Sequence, residues 1–340
     1  MKSHLNKLLL LSLLILAGCE HRNAELLIEG SAQGTSYHIK IVPTERPVDV
    51  DALHKQVEDL LQDIDQKLSN YRDDSEISIF NQRKTVEWQK VSPEIVELVE
   101  IAGQVYERTQ GCYDLTIKPL FDLWGFSKHE NRIPSQDEIK SALAHVGMFR
   151  LETSMSQSSM RKLDPEVQID LSSIAQGYTV GALAKSLEAQ GVRNYLVEVG
   201  GEMKVKGRNG KGNAWRVAIE KPSPFTREVQ KVLDIHQEKG TAIMTAGTYR
   251  NFFENKGQTY SHIINPVTGS PVTHNLLSVT VLHDDPTWAD AWDTALLCVG
   301  ETEAAEIAEV EQLKVLLIYQ QDNELKEYMS KAFTNELERQ

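Results

Sequence analysis

Apolar residues recur at helical spacing in some stretches of the chain and alternate with polar ones in others. Leu53, Val57, Leu60, Leu61, Ile64 and Leu68 mark one face of a helix over Asp49–Asn70, with charges between them. Ser92-Pro93 opens a second helix, running to about Thr109 and stopped by Gly111. Ser135-x-x-Glu138 is a capping box and starts a short helix ending near Gly147. Ser172–Gln190 reads as a helix stopped by Gly191, and Gly177 and Gly181, one turn apart, leave room for another backbone or a ligand. Further helices are expected over 286–299 and about 302–312. Strand patterns cover Glu29–Val42 (a strand or hairpin), Cys112–Ile117 and Val167–Leu171. From Asn194 on they recur at Tyr195–Val199, Trp215–Ile219, Val232–Ile235, Ala242–Thr245, Thr259–Ile264, Leu277–Leu282 and Val315–Tyr319. Tyr71–Ser78 reads as a loop, and Pro119–Phe126 as a turn-rich apolar stretch. With no internal repeat and no linker, the pattern predicts one α+β domain over 29–335, with mixed or antiparallel sheets and flanking helices. Two interleaved lobes are the alternative arrangement.

Composition adds little to this, but charge and the N-terminus do. The 340 residues are 41% hydrophobic and 25% charged, enough for a sizeable core. A formal net charge of −13 argues against a nucleic-acid partner, which would ask for a basic face. Lys2 and Lys7 precede an apolar run, Leu8–Ala17, that is too short to span a bilayer and has the shape of a secretory signal. It ends in Leu16-Ala17-Gly18-Cys19, which resembles a bacterial lipoprotein signal: residues 1–18 removed, Cys19 lipidated, 19–28 a tether. Cleavage takes the charge to about −15. Two or more acyl chains anchor stably where one does not. Glu20 after the cysteine suggests retention at the bacterial inner membrane, on its periplasmic side. Of the other cysteines, Cys112 and Cys298 lie in apolar runs and are expected to be buried free thiols, with a disulfide as the alternative in an oxidising compartment.

The candidate chemistry gathers around Thr287-Trp288-Ala289-Asp290-Ala291-Trp292-Asp293-Thr294-Ala295. On a helix opened by Asp285-Pro286, or capped by Thr287, Asp290, Asp293 and Thr294 share a face. They would offer hard oxygen ligands of the kind Mg²⁺ takes. The plainer account is that acidic residues in a first turn only favour the helix dipole. Walker A, G-x-G-x-x-G, H-E-x-x-H and G-x-S-x-G are all missing from the sequence, which weighs against a P-loop enzyme, a dehydrogenase, a zincin and an α/β-hydrolase. Asp170–Tyr178 lies where a strand becomes a helix, a place to hold a phosphate or ribose, or an ordinary cap. His262 could take a proton from a nucleophile, or be a satisfied strand histidine. Tyr71 and Tyr113 could stack on a flat ring, or be half-buried core.

Taken together, five stretches resemble the ApbE family, the FAD:protein FMN transferases. They are Gln33-Gly34-Thr35; Tyr71 with Ser75-Glu76-Ile77-Ser78; Cys112-Tyr113-Asp114-Leu115-Thr116 with Leu123-Trp124-Gly125-Phe126; Asp170-Leu171-Ser172-Ser173-Ile174-Ala175-Gln176-Gly177-Tyr178; and Ser261-His262-Ile263-Ile264-Asn265-Pro266 with the Asp290–Thr294 cluster. The resemblance runs from about Ile28 to Phe333. It implies Mg²⁺-dependent transfer of the FMN moiety of FAD to a threonine or serine hydroxyl of a target protein, with release of AMP. It implies that Asp290, Asp293 and Thr294 ligate the metal, with Ser173 opposite, and that Gln33, Tyr71, Cys112, Tyr113, Asp114, Asp170, Gln176 and Ile264 hold FAD. His262 is then the candidate for the hydroxyl proton, with an aspartate of the cluster as rival. The family usually has methionine at Gln33, a charged residue at Gln176 and aspartate at Asn265. Implied partners are membrane respiratory subunits, such as those of Na⁺-translocating NADH:quinone reductase and Rnf complexes. The residues leave two other readings open: an FAD pyrophosphatase giving FMN and AMP, and a lipid-anchored FAD-binding protein.

Overall fold

Strands Leu26–Ala32 and Thr35–Ile41 form a hairpin that turns at Gln33 and Gly34, both with positive φ (52° and 75°). That pair of conformations matches the twist of the flanking strands. The computed structural model describes residues 24–43, 48–127, 130–235 and 238–338. The signal segment and Cys19 lie outside them. The first strand starts at Leu26, inside the expected tether.

This hairpin is one edge of an eight-stranded antiparallel sheet. In order across the sheet, the strands are Leu26–Ala32, Thr35–Ile41, Tyr195–Val199, Glu202–Lys206, Thr241–Gly247, Leu276–His283, Lys314–Gln321 and Glu324–Met329. Alternation divides its side chains between two cores. Ile39, Val197, Met244, Val279 and Leu317 face helices Val50–Leu68, Pro93–Arg108, Ala175–Ala189 and Pro286–Val299. Val205, Ile243, Leu282 and Leu316 face the hairpin Trp215–Glu220/Val229–Ile235 and the helix Lys331–Glu338. A third, smaller core joins Lys118–Leu123 and Gln136–Leu143 to Ile264. The architecture is α+β, as the pattern predicts.

The departures have local causes. Cys112–Ile117 is a turn and a short 3₁₀ helix, Leu115–Ile117, because Asp114 Oδ1 accepts from the Thr116 amide at 2.7 Å and so offers the backbone an alternative to a ladder. Within the expected loop at 71–78, Ser75 caps a helix, Glu76–Gln82. The stretch at 119–126 contains the helix Lys118–Leu123. Thr259–Ile264 divides into Gln258–Ser261 and Ile264–Asn265, with His262 between.

Val167–Leu171 is extended but has no strand partner, and the helix beyond it starts at Ala175. Two asparagine side chains do the work of a neighbouring strand. Asn81 accepts from the Ile169 amide at 2.7 Å and donates to its carbonyl at 2.8 Å; Asn70 donates to that carbonyl and accepts from the Leu171 amide, both at 2.8 Å. Asn81→Ala leaves a buried amide unpaired, so chemical denaturation should show a loss of about 2–3 kcal/mol. An unchanged midpoint would mean that this scaffold is dispensable.

Candidate active site

Asp285 caps the Pro286–Val299 helix by accepting from the Thr287 amide at 2.8 Å, and Pro286 takes the first helical position. The first turn therefore holds no acidic residue, and Asp290 and Asp293 lie further in. The helix is enclosed on nearly all sides, with Asp290 6% and Asp293 1% exposed. Acidic residues that only favour a helix dipole would stay in water. Gly177 permits the close crossing with the Ala175–Ala189 helix: a Cβ there would stand 2.4 Å from the Pro286 carbonyl oxygen and 2.5 Å from Asp290 Cβ. At this crossing the Gly177 amide donates to Asp290 Oδ2 at 2.6 Å.

A third carboxylate, Glu202, follows the Gly200-Gly201 turn and is also buried. Its Oε2 accepts from the Thr245 amide at 3.0 Å. Burial pushes the Asp290 carboxyl up to about 7. Burial, with Glu202 and Asp290 nearby, holds Asp293 well above the usual carboxylate range. Glu202 is raised the same way, by burial and Asp290. No ion pair with any of the three occurs among the described residues. Uncompensated buried carboxylates are costly, and a divalent cation would compensate them. Among the described residues no three His, Cys, Asp or Glu side chains by themselves enclose an ion. Hydroxyl, carbonyl, water or phosphate oxygens would have to complete the shell, a set that suits Mg²⁺.

These groups open on a cavity of about 290 Å³ at the end of the sheet. Of the residues singled out from the sequence, Cys112, Tyr113, Asp114, Asp170, Ser173, Gln176, His262, Ile264, Asp290, Asp293 and Thr294 line it. Gln33 and Tyr71 do not. They line an adjoining cavity of about 550 Å³, joined to the first through Ser172 and Gln176. Tyr71 is 71% exposed there, free to cover a flat ring.

Several side chains arrive already committed. Asp114 accepts from Thr116 and, at 3.2 Å, from the Met148 amide. Asp170 accepts from the Ser172 amide at 2.8 Å. The Tyr113 hydroxyl donates to the Ser173 carbonyl and accepts from Ser173 Oγ, both at 3.2 Å. Asn265 Oδ1 accepts from the Val267 and Thr268 amides at 2.8 and 3.1 Å, so an amide closes this turn without a carboxylate. His262 Nδ1 lies 2.9 Å from the Asn251 carbonyl oxygen. A carbonyl can only accept, so Nδ1 carries the proton and Nε2 keeps a free lone pair. Burial lowers the imidazole's pKa, which keeps it neutral.

The cysteines are not free thiols. Cys112 and Cys298 are joined in a disulfide across 186 residues, with Cα atoms 5.9 Å apart. The fold packs the loop after the Pro93–Arg108 helix against the last turns of Pro286–Val299, a juxtaposition that spacing in the sequence does not reveal. Glu202, Thr245, Asn251 and Arg250 also went unnoticed as cavity residues. The one signal for Glu202 was a glycine pair just after a strand.

The fold and site define an α+β protein in which a buried helix delivers carboxylates to a cavity at a sheet's end. The sequence model of the ApbE family matches residues 33–317, and the chain belongs to that family. It is 39% identical over 327 residues to the FAD:protein FMN transferase of Vibrio cholerae, covering 95% of this chain and 96% of that one. It is 36% identical over 340 residues to the FAD:protein FMN transferase of Escherichia coli K12, covering 96% and 95%. The solved structure of the flavin transferase ApbE from Vibrio cholerae superposes with a TM-score of 0.84 at 37% identity, over 92% of this chain and 99% of that one.

Proposed function

We propose that this protein is an FAD:protein FMN transferase that uses Mg²⁺ to pass the FMN phosphoryl of FAD to a threonine or serine hydroxyl of another protein. The observation that carries the reading is the pair Asp290 and Asp293, buried without a cationic partner at the wall of a cavity that continues into a second one. Two connected cavities suit a dinucleotide better than either alone. Asp290, Asp293 and Thr294 would hold the metal, with Ser173 opposite. When bound, Mg²⁺ neutralises charge on the pyrophosphate and at the displaced phosphoryl group. Gln33 and Tyr71 would contact one end of FAD, and Cys112–Asp114, Asp170, Gln176 and Ile264 the rest.

His262 Nε2, neutral and unprotonated, takes the hydroxyl proton. The hydroxyl oxygen bonds to the FMN phosphorus, the bridging P–O bond breaks, and AMP leaves with that electron pair. Protein positioning supplies most of such a reaction, because the phosphoryl group needs alignment more than covalent help. The acceptors would be respiratory subunits such as those of Na⁺-translocating NADH:quinone reductase or Rnf complexes. Lipid on Cys19 would hold the enzyme on the periplasmic face of the inner membrane beside them.

The test is AMP release from FAD by the purified chain in the presence of a threonine-bearing acceptor fragment, followed by chromatography with Mg²⁺ and then with a chelator. Release that needs Mg²⁺ is expected; release unaffected by the chelator would refute the metal assignment. A pH dependence follows as well. The fold favours the protonated Asp290 carboxyl, so its contribution to metal-free stability is complete below about pH 4 and lost as pH rises through about 7. A cation must displace that proton. Mg²⁺ should therefore raise the melting temperature more at about pH 8 than at about pH 6, and an equal rise at both would count against it.

A further inference from the structure

We infer that a third cavity, bordered by Ser36, Glu198, Gly201, Ala218, Arg227 and Arg250, receives the segment of the acceptor protein that carries the hydroxyl. The inference rests on the transferase reading above. The cavity measures about 280 Å³ and lies between the sheet and the Trp215–Glu220/Val229–Ile235 hairpin. It shares Gly200, Glu202, Thr245 and Arg250 with the site cavity, so the two meet around the Gly200-Gly201 turn.

Exclusion supplies the first argument. A dinucleotide with two ring systems outgrows the 290 Å³ site cavity, and the continuation through Ser172 and Gln176 leads away from the hairpin. In-line displacement needs the nucleophile on the side away from the departing nucleotide. With FAD in the other two cavities, the hairpin side offers an approach among the described residues.

The mouth supplies the second. The loop joining the two hairpin strands carries Phe225, 90% exposed, two residues from Arg227. Arg227 is exposed and has no hydrogen bond or ion pair among the described residues. An unused guanidinium on the border of a polar cavity, two residues from an exposed aromatic ring, suits an extended peptide: the guanidinium donates to its carbonyl oxygens. Arg250, held by Glu220 at 2.8 Å, stands where the two cavities join. The volume admits a short segment, and the small exposed side chain of Ser36, on the sheet face opposite Tyr37 and Ile39, leaves it open.

The test uses the full chain with Ser36→Trp, which plugs the cavity from a strand position that tolerates aromatics, and Arg227→Ala in the exposed loop. Flavin-fluorescence titration gives FAD affinity, and intact mass of a threonine-bearing fragment gives transfer. Ser36→Trp should bind FAD within about twofold of wild type, while kcat/KM for the fragment falls at least about tenfold. Arg227→Ala should raise KM for the fragment severalfold at unchanged kcat. Transfer at the wild-type rate by both variants would overturn the inference. So would loss of FAD binding in Ser36→Trp, which would place the dinucleotide in this cavity. Failure of the wild type itself to modify any fragment would instead count against the transferase reading.

Discussion

Replacing Asp293 with asparagine is expected to abolish turnover without unfolding the protein. The side chain is 1% exposed, and besides burial the acidic Glu202 and Asp290 raise its carboxyl. Without metal the carboxylate is a burden on the fold, held in low dielectric beside like charges. Asparagine keeps the shape and removes the charge. In a chelator the variant should melt at the same temperature as wild type or a few degrees higher. Mg²⁺ should stabilise wild type, by about 2.7 kcal/mol at a hundredfold excess over its dissociation constant. The same Mg²⁺ should do little for the variant. Turnover should fall by about 10²–10³ or more, the scale for losing a group that organises transition-state charge. Full activity in the variant, or an equal thermal gain from Mg²⁺, would remove Asp293 from the metal site.

The second large effect belongs to the disulfide. Cys112–Cys298 closes a loop of 186 residues, which the chain-entropy account values at about 5 kcal/mol. In a chain of this size the double replacement Cys112→Ser/Cys298→Ser should lower the melting temperature by roughly 5–10 °C. The consequence reaches the site. Cys298 lies four residues beyond Thr294 and eight beyond Asp290, on one helical face, and Cys112 directly precedes Tyr113. The bond thus ties the face bearing the proposed metal ligands to the loop that meets Ser173. Thermal melting and flavin-fluorescence titration of the double variant should both show the loss, as lower stability and weaker FAD binding. An unchanged melting temperature on reduction would mean that packing alone holds these elements together.

Sequence reading succeeded where local chemistry decides local structure. The helix at 286–299 has the bounds its Asp285-Pro286 start and Gly300 end dictate, and Ser135-x-x-Glu138 is a complete capping box. It failed where a distant side chain stands in for backbone. Val167–Leu171 looks like a strand, but beyond the Asp170 amide, which donates to the Leu115 carbonyl, its partners are the side chains of Asn70 and Asn81, up to 101 residues away. Cys112–Ile117 reads as a strand until the Asp114 side chain bends it. The disulfide escapes the sequence because burial in an apolar run says nothing about which thiol lies opposite.

The site itself was visible mainly through five short motifs in a familiar order. No periodicity or spacing in the chain brings Asp114, Asp170, His262 and Asp290 together; only the folded sheet end does. Glu202 belongs to no motif, and its importance emerges only when its carboxylate is found buried beside two others.

One measurement tests the central claim most directly: intact mass of a threonine-bearing fragment of a respiratory flavoprotein subunit, incubated with the protein, FAD and Mg²⁺, with AMP and free FMN recorded in the same sample. A mass gain of one FMN, matched by an equal amount of AMP, is the predicted result. AMP and free FMN rising together over an unmodified fragment would contradict it and leave a hydrolase, and FAD bound without any AMP would leave only a flavin-binding protein.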